Sequence, residues 1–376
     1  MIPNRNATGI LVKSPGRINL IGEHIDYNGG YVLPAAINLK VSLKIYKTEN
    51  TYCTISSKHG GTFGFDIQQP LEISSTHWEN YVLGVIDGLL KKRPNQLGGF
   101  ECSISSELPI GAGISSSAAL ECGVAKGLNH LFDLNLSDIE LIEISRMAEH
   151  NYVGNKCGVM DQFAVTMGQN NKLLILNCKS LEYQLIDADF STFKIVLLNS
   201  NVSHNLVSSE YNTRRAECGQ ALKIIQEQHP NFDFLADVPE TIIESLKEKL
   251  PGKVYQRALY VSRENARTLK AASLMQEGKI ESFGALMYQT HEGLSKYYEV
   301  SCPELDFLVG LTLDLPLVVG SRMMGGGFGG CTINLVKEDF VQNLIDMAQM
   351  QYKKEFDIEL TPILVETSSG VEITNS

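Results

Sequence analysis

A stretch rich in glycine and serine in the first third of the chain carries its clearest chemistry. It runs from Pro109 to Glu121 and reads PIGAGISSSAALE. Glycines allow tight turns and close approach of the backbone to a ligand, and apolar residues at helical spacing begin directly after the serines. A helix N-terminus offers unpaired N–H groups and a positive dipole end, which favour phosphate. We interpret the stretch as a phosphate-binding loop. The alternative is a flexible connector between a strand and a helix.

The residue spacing of this loop excludes the best-known nucleotide-binding schemes. A dinucleotide-binding fingerprint requires glycine at the sixth place, where this chain has Ser116. A P-loop requires Lys-Ser or Lys-Thr after its last glycine, and none follows. The catalytic-loop and Asp-Phe-Gly motifs of protein kinases are also missing. A nucleotide held here would therefore be bound by a different scheme.

Three ionisable side chains follow the first predicted strand. The sequence predicts this strand over 9–13, with a turn at 14–16, and Glu23, His24 and Asp26 then lie within four residues between glycines. Such groups can converge on one small polar ligand; the alternative is a solvated surface turn. A metal site is a weaker interpretation, because one histidine and two carboxylates this close in sequence form a crowded ligand set.

A second polar loop, over 153–163, places Asp161 among apolar neighbours. A carboxylate in such surroundings pays for desolvation unless it is paired. Asp161 is therefore either a base with a tuned pKa or a structural carboxylate in a salt bridge, and the local sequence does not choose between them. A third stretch, Gly325 to Gly330, matches the dinucleotide fingerprint in its letters, but a predicted strand follows it instead of a helix.

The elements that must position these loops divide the chain in two. Predicted strands dominate the first half and long predicted helices dominate the second, which indicates two domains over 1–190 and 191–376. Within the first half, Ser137-Asp138-Ile139-Glu140 is predicted to form a capping box that begins a helix. A site built from loops of both domains would lie in the cleft between them.

Composition limits the classes of partner. The net charge of −11 argues against nucleic acid, whose phosphates require clustered Lys and Arg. No apolar run is long enough to span a membrane, and the polar N-terminal segment is unlike a signal peptide. The eight scattered cysteines form no Cys-x-x-Cys pair and favour reduced thiols in a cytoplasmic protein.

Three of these stretches together resemble the GHMP small-molecule kinases, and within them the galactokinase branch. Residues 16–27, GRINLIGEHIDY, are similar to the galactokinase signature, 108–119 to the phosphate loop of the family, and 325–330 to its third motif. Segments 158–162 and 301–306 are similar to further galactokinase segments. The resemblance implies an α+β fold: an N-terminal α/β domain like that of a ribosomal protein and a C-terminal ferredoxin-like α+β domain, with the active site between them.

The resemblance also implies a role for each matching residue. Asp161 matches the catalytic base, and Arg17 matches the arginine that pairs with it and stabilises the transferred phosphoryl group. Residues that match sugar contacts are Glu23, His24, Asp26, Gly158 and Tyr211. Residues that match the triphosphate loop are Gly111, Ala112, Gly113, Ile114, Ser115, Ser116 and Ser117. Ser117 and Glu149 match the Mg²⁺ ligands.

The expected reaction is transfer of the γ-phosphoryl group of ATP to the anomeric C1 hydroxyl of α-D-galactose, with ATP and Mg²⁺ as cofactors. The expected partners are small molecules, with a monomer compatible with the sequence. Two alternatives stay open. Ile25 stands where N-acetylgalactosamine kinases often carry isoleucine, and some relatives are sugar-sensing regulators without activity. The intact run Ser115-Ser116-Ser117-Ala118-Ala119 favours an enzyme.

Overall fold

The computed structural model describes residues 9–58, 60–109, 111–190, 192–203 and 207–375. Within them the backbone forms three sheets of six, four and three strands. The strands are β1 (Gly9–Asn19), β2 (Tyr31–Val32), β3 (Pro34–Lys47), β4 (Tyr52–Ser57), β5 (Gly61–Asp66), β6 (Phe100–Ser106), β7 (Lys172–Asn177), β8 (Tyr183–Asp187), β9 (Phe193–Ser203), β10 (Val318–Met323), β11 (Gly329–Lys337), β12 (Thr361–Val365) and β13 (Glu372–Asn375).

Helices cover the sheets and connect them. They are α1 (His77–Lys92), α2 (Ser116–Leu131), α3 (Asp138–Ala148), α4 (Met160–Met167), α5 (Val207–Gln226), α6 (Glu240–Ser245), α7 (Gly252–Gln276), α8 (Ile280–Glu292), α9 (Pro303–Gly310) and α10 (Val341–Phe356). A π-helical turn, Glu149–Val153, extends α3. Across the described ranges, no helix combines the length and apolarity that a membrane span requires.

The six-stranded sheet has the order β13-β1-β3-β6-β4-β5, and α2 and α4 pack on β1 and β3. The turn predicted at 14–16 is wrong. The backbone continues as β1 through these residues, and the pairing with β3 shifts register between Pro15 and Arg17. The shift places three residues of β3, 37–39, opposite the single residue Gly16 of β1, so the irregularity lies in β3 and β1 runs on without ending. Arg17 follows directly after this irregular pairing.

The second sheet has the order β10-β11-β9-β12, with α8 against β10 and α9 against β11. The third sheet, β2-β7-β8, packs against α7. The division of the chain at about residue 190 stays a prediction. The structure adds that the last strand returns to the first sheet, where β13 pairs antiparallel with β1.

Two helix starts illustrate how the sequence sets local structure. The predicted capping box is confirmed: the Ser137 hydroxyl accepts from the Glu140 N–H at 3.3 Å, and the Glu140 carboxylate accepts from the Ser137 N–H at 3.0 Å. By contrast, the polar loop predicted over 153–163 ends early, because α4 begins at Met160. Asp161 therefore lies in the first turn of a helix, where a carboxylate is favoured by the helix dipole.

Candidate active site

Asp161 is held by three donors from the first half of the chain. Arg17 grips it with two hydrogen bonds, Nε to Oδ1 at 2.8 Å and Nη2 to Oδ2 at 3.0 Å. The Ser115 hydroxyl donates to Oδ2 at 2.5 Å. Arg17 also donates through Nη1 to the Gly113 carbonyl at 2.5 Å, so one guanidinium group ties the carboxylate to the phosphate loop. The sequence analysis allowed Asp161 to be either a base or a carboxylate in a salt bridge. The geometry is compatible with both roles.

Arg17 carries its positive charge at neutral pH. Burial lowers the pKa of Arg17, but the carboxylates of Asp161 and Glu23 outweigh it and raise that pKa above its ordinary value. Arg17 is almost fully buried, whereas 27% of the Asp161 side chain stays exposed. The carboxylate thus has one side bound to the protein and one side partly open to solvent.

The phosphate loop leads into α2 with an open helix end. Ser115 is the N-cap residue, in the left-handed conformation with φ 56°, and its side chain makes no cap hydrogen bond. Its hydroxyl is committed to Asp161 instead. Because no side chain caps this end, the N–H groups of the first turn, around Ser116 and Ser117, are left for an anion. Gly111 and Gly113 also have positive φ, at 77° and 72°.

The seven predicted loop residues contribute in different ways. Ala112 and Ile114 are buried in the core of the first sheet, so only their backbone can face a ligand. The Ile114 carbonyl accepts from the Arg17 N–H at 3.1 Å. The loop is therefore anchored to β1 beside the residue that holds Asp161.

Ser117 and Glu149 meet, as expected for a shared ligand set. The Ser117 hydroxyl and the Asn155 side chain both hydrogen-bond the Glu149 carboxylate, the latter at 3.0 Å. Burial raises the pKa of Glu149, and these two hydrogen bonds lower it in part. Among the described residues, no group of three or more His, Cys, Asp or Glu side chains could hold a metal ion. Two protein oxygens, with phosphate and water completing the shell, fit the chemistry of Mg²⁺.

Asp26 lies beside Gly158 in a nearly sealed position. It accepts hydrogen bonds from the backbone N–H groups of Tyr27 and Met160. A Cβ atom on Gly158 would come within 2.0 Å of Asp26 Oδ2, so only glycine fits there. Burial, together with the charge of Asp161, raises the pKa of Asp26 to about 7. Asp26 and Asp161 are thus neighbouring carboxylates with different surroundings.

His24 has both ring nitrogens occupied. Nδ1 lies 2.9 Å from the Tyr27 hydroxyl, and Nε2 lies 3.2 Å from the carbonyl oxygen of Gly326. Burial lowers the pKa of His24 to about 4, so the ring is neutral at pH 7. Its Nε2 then carries the hydrogen that it donates to Gly326. The predicted contact residue Tyr211 packs against the same ring, with centroids 5.2 Å apart.

Glu23 belongs to a sealed ion pair that the sequence interpretation missed. Its Oε2 accepts from Arg322 Nη2 at 2.9 Å and from the Gly325 N–H at 3.0 Å. Arg322 is fully buried in β10. A charged residue inside a strand was a signal for a buried pair. The identity of its partner, 299 positions away, was beyond local sequence patterns.

The third glycine-rich stretch joins the other two. A Cβ atom on Gly325 would lie 3.1 Å from the Gly113 carbonyl oxygen, and one on Gly327 would lie 2.1 Å from the Val300 carbonyl oxygen. Both glycines have positive φ, at 82° and 83°. The stretch therefore packs by its backbone against the phosphate loop, while Glu23 and His24 hold its Gly325 N–H and Gly326 carbonyl. All three predicted motifs converge on one place.

Family comparison defines the class of protein that carries this arrangement. The sequence model described as GHMP kinases N terminal domain matches residues 80–169, and the model of the GHMP kinases C terminal region matches 271–354. A solved mevalonate kinase from Methanococcus jannaschii, 20% identical, superposes with a TM-score of 0.63 and shares the fold. The predicted α+β fold of a two-domain GHMP kinase is confirmed.

Closer relatives define the branch. The model of the galactokinase galactose-binding signature matches residues 4–45. Galactokinases of Clostridium acetobutylicum and Thermotoga maritima are 38% and 39% identical; each alignment covers 96% of this chain, and 94% and 99% of the relative. The structure of Lactococcus lactis galactokinase complexed with galactose is 33% identical, with a TM-score of 0.91 over 97% of this chain and 95% of that one. The chain belongs to the galactokinases, a branch of the GHMP kinase family.

Proposed function

We propose that the protein transfers the γ-phosphoryl group of ATP to the C1 hydroxyl of α-D-galactose, giving galactose 1-phosphate and ADP. The observation that carries this proposal is the Asp161 carboxylate. Arg17 and Ser115 hold it beside the start of the phosphate-loop helix, and part of its side chain is exposed. Membership of the galactokinases supports the choice of sugar.

In this proposal Asp161 accepts the proton of the sugar hydroxyl as that oxygen attacks phosphorus. Arg17 orients the carboxylate through its two hydrogen bonds and supplies positive charge to the transferred group. The open N-terminus of α2, with the loop 111–117, binds the phosphate oxygens. Phosphoryl transfer requires little covalent chemistry from a protein, so positioning and charge stabilisation account for the rate.

We assign Ser117 and Glu149 to Mg²⁺ binding, together with phosphate oxygens and water. Their oxygen donors suit a hard cation that keeps several non-protein ligands. When bound, the ion would neutralise phosphate charge. A cation beside Glu149 would also offset the burial that raises the pKa of this carboxyl group.

We assign sugar binding to Glu23, Asp26, Gly158, His24 and Tyr211. Asp26 and Glu23 offer carboxylate oxygens to hydroxyl groups. His24 would contact the sugar by its ring, because both of its nitrogens already have partners. A misplaced hydroxyl leaves a buried polar group unpaired, at about 1–3 kcal/mol. This penalty predicts roughly ten- to hundredfold discrimination against glucose.

N-acetylgalactosamine is the second candidate acceptor, suggested by Ile25. The Ile25 side chain is fully buried in the core with Val32, Ile142 and Phe163. It therefore cannot select an N-acetyl group by direct contact.

For the cellular location of the protein we propose the cytoplasm, which the eight free cysteines support.

An ADP-release assay across galactose, N-acetylgalactosamine, glucose and arabinose tests the proposal. We expect the highest kcat/KM with galactose. A preference for the amide sugar on the same preparation would transfer the assignment to N-acetylgalactosamine kinase. Sugar binding without ADP release would indicate a sensing protein.

A further inference from the structure

Arg322 is the most completely enclosed arginine near the candidate site. It lies in β10, is fully buried, and donates to four acceptors. Two are carbonyl oxygens just before residues 21–30, the segment that carries Glu23, His24 and Asp26 and is called the sugar loop below. Arg322 Nε donates to the Leu20 carbonyl at 2.9 Å, and Nη2 donates to the Asn19 carbonyl. The third is its own neighbour, Met323, at 2.7 Å from Nη1. The fourth is Glu23 Oε2, at 2.9 Å from Nη2.

These bonds hold both the backbone and the side chain of the sugar loop. Two carbonyls fix the path of the chain at 19–20, and the ion pair fixes one oxygen of Glu23. The Gly325 N–H donates to the same oxygen at 3.0 Å. The other oxygen, Oε1, has a longer contact, 3.3 Å from Asn19 Nδ2. A carboxylate can accept about four hydrogen bonds, so Oε1 keeps capacity for a further donor.

We infer that Arg322 is a positioning residue for sugar binding. It turns one oxygen of Glu23 away from the sugar and so leaves Oε1 for a hydroxyl group of galactose. The inference rests on the proposed function, because it takes galactose as the ligand. It adds a residue from the second half of the chain to a sugar site whose other charged members come from the first half.

Lysine cannot replace arginine in this role. A guanidinium group presents five donors in a rigid fork, and Arg322 uses three of its nitrogens at once. An ammonium group is a compact point charge on a flexible stem, so Arg322→Lys would keep the charge and lose the geometry. Complete removal of the charge would leave Glu23 buried and unpaired, which destabilises a protein strongly.

The matched control is Arg257, in α7. It is also fully buried and ion-paired, with Glu217 at 2.8 Å and Glu299 at 2.5 Å. Arg257→Lys makes the same chemical change to another buried guanidinium group. Its carboxylate partners, Glu217 and Glu299, lie in the second half of the chain, outside the sugar loop. This variant therefore reports the effect of losing a buried fork that does not contact Glu23.

The test measures the galactose Kd by titration calorimetry, the KM for ATP and the Tm of parent, Arg322→Lys and Arg257→Lys. We expect both variants to lose Tm. Only Arg322→Lys should weaken galactose binding, by roughly ten- to hundredfold, the cost of misplacing one charged hydrogen bond, with the ATP KM little changed. A parent-like galactose Kd in folded Arg322→Lys would overturn the inference. Failure of the parent itself to bind and phosphorylate galactose would instead refute the proposed function.

A second comparison applies even if Arg322→Lys does not fold. Glu23→Gln alone and Glu23→Gln with Arg322→Gln leave no carboxylate at position 23. Because Arg322 is inferred to act on the sugar chiefly through Glu23, Glu23→Gln should already show most of the loss in galactose affinity, and the double variant, which also loses the bonds to the Asn19 and Leu20 carbonyls, should lose little more. A further large loss in the double variant, or parent-like binding by Glu23→Gln, would contradict the inference.

Discussion

Two arginine–carboxylate pairs lie within the same candidate site and differ in their access to solvent. In the pair of Arg17 and Asp161 the carboxylate side chain is 27% exposed, whereas in the pair of Arg322 and Glu23 the side chains are 0% and 3% exposed. The first pair is partly open to solvent, and the second is enclosed by backbone carbonyls and the glycine-rich stretch. The open pair, Arg17 and Asp161, leaves a carboxylate that a substrate can reach. The enclosed pair, Arg322 and Glu23, fixes the position of a carboxylate instead.

The enclosed pair carries a cost that its hydrogen bonds offset. Desolvation of two charges exceeds their attraction unless the remaining donors and acceptors are satisfied. Arg322 meets that condition with its bonds to the carbonyls of Asn19, Leu20 and Met323. The pair of Arg17 and Asp161 has a smaller desolvation cost because Asp161 is partly exposed, and Asp161 keeps lone pairs for a substrate. The comparison predicts that changes to the open pair reduce the rate, and changes to the enclosed pair reduce binding.

The largest expected effect is that of Asp161→Asn. The substitution keeps the shape of the side chain and removes the proton acceptor, so kcat should fall by about 10²–10⁴. Steady-state ADP release with saturating galactose measures it, with circular dichroism to verify folding. Asp187→Asn, at an exposed carboxylate paired with Lys172, is the control and should match the parent. A folded Asp161→Asn protein within about tenfold of the parent would make Asp161 structural.

Arg17→Lys should have the next largest effect. Lysine keeps a positive charge but loses the two-point grip on Asp161, a charge-assisted hydrogen bond worth about 1.5–3 kcal/mol, or roughly ten- to hundredfold in kcat. The matched control is Arg146→Lys, which breaks a similar two-point contact with Glu143 on the surface of α3. Equal rates for Arg17→Lys and Arg146→Lys would show that the grip on Asp161 has no role in the reaction.

Glu149→Gln extends the comparison to a buried carboxylate without an arginine. If a cation is its missing partner, the Mg²⁺ concentration for half-maximal rate should rise more than the galactose KM does, because an amide is a weaker ligand than a carboxylate. The measurement is an Mg²⁺ titration of ADP release at fixed galactose and ATP. Glu143→Gln, an exposed position on α3, provides the control. An unchanged Mg²⁺ titration would remove Glu149 from the metal shell.

Asp26→Asn should have its clearest effect on the pH dependence of stability, and the smallest effect on the chemical step. Burial raises the pKa of Asp26 from 3.8 to about 7. Between these values the folded protein keeps a proton that the unfolded chain has lost, so the free energy of unfolding falls as pH rises. This contribution is fully present below pH 4 and is lost by about pH 7.

The substitution should flatten that fall, by up to a few kcal/mol across the range. His24 acts with the opposite sign, because its pKa is lowered to about 4 and its charging as pH falls destabilises the fold. The difference in chemical-denaturation free energy between parent and Asp26→Asn isolates Asp26. If the two pH profiles are parallel, the pKa of Asp26 is not raised in the folded protein.

The sequence predicted local features better than distant pairings. The helix after the phosphate loop and the capping box of α3 depend on residues a few positions apart, and both are confirmed. The turn at 14–16 was wrong because proline and glycine can also lie within a strand where the pairing is irregular, and the irregularity here comes from extra residues in the partner strand β3. Asp161 was placed on a loop because the irregular segment before its helix, residues 154–158, carries glycines and polar residues.

The structure brings the predicted site residues together, but several of the hydrogen bonds between them were not predicted. Ser115 was assigned to phosphate, and its hydroxyl donates to Asp161. His24 was assigned to the sugar, and its nitrogens meet Tyr27 and Gly326. Arg322 was missed. The contacts of His24 with Gly326 and of Arg322 with Glu23 join the two halves of the chain, and that of Ser115 with Asp161 joins residues 46 positions apart, which no local pattern encodes.

The most direct test of the division between the two pairs is the galactose Kd of Asp161→Asn and Arg322→Lys, measured side by side by calorimetry. The account predicts that Asp161→Asn, although slow in catalysis, binds galactose nearly as the parent does, whereas Arg322→Lys binds it much more weakly. The reverse order, or an equal loss of affinity in both variants, would contradict the claim that the open pair serves the reaction and the enclosed pair serves binding.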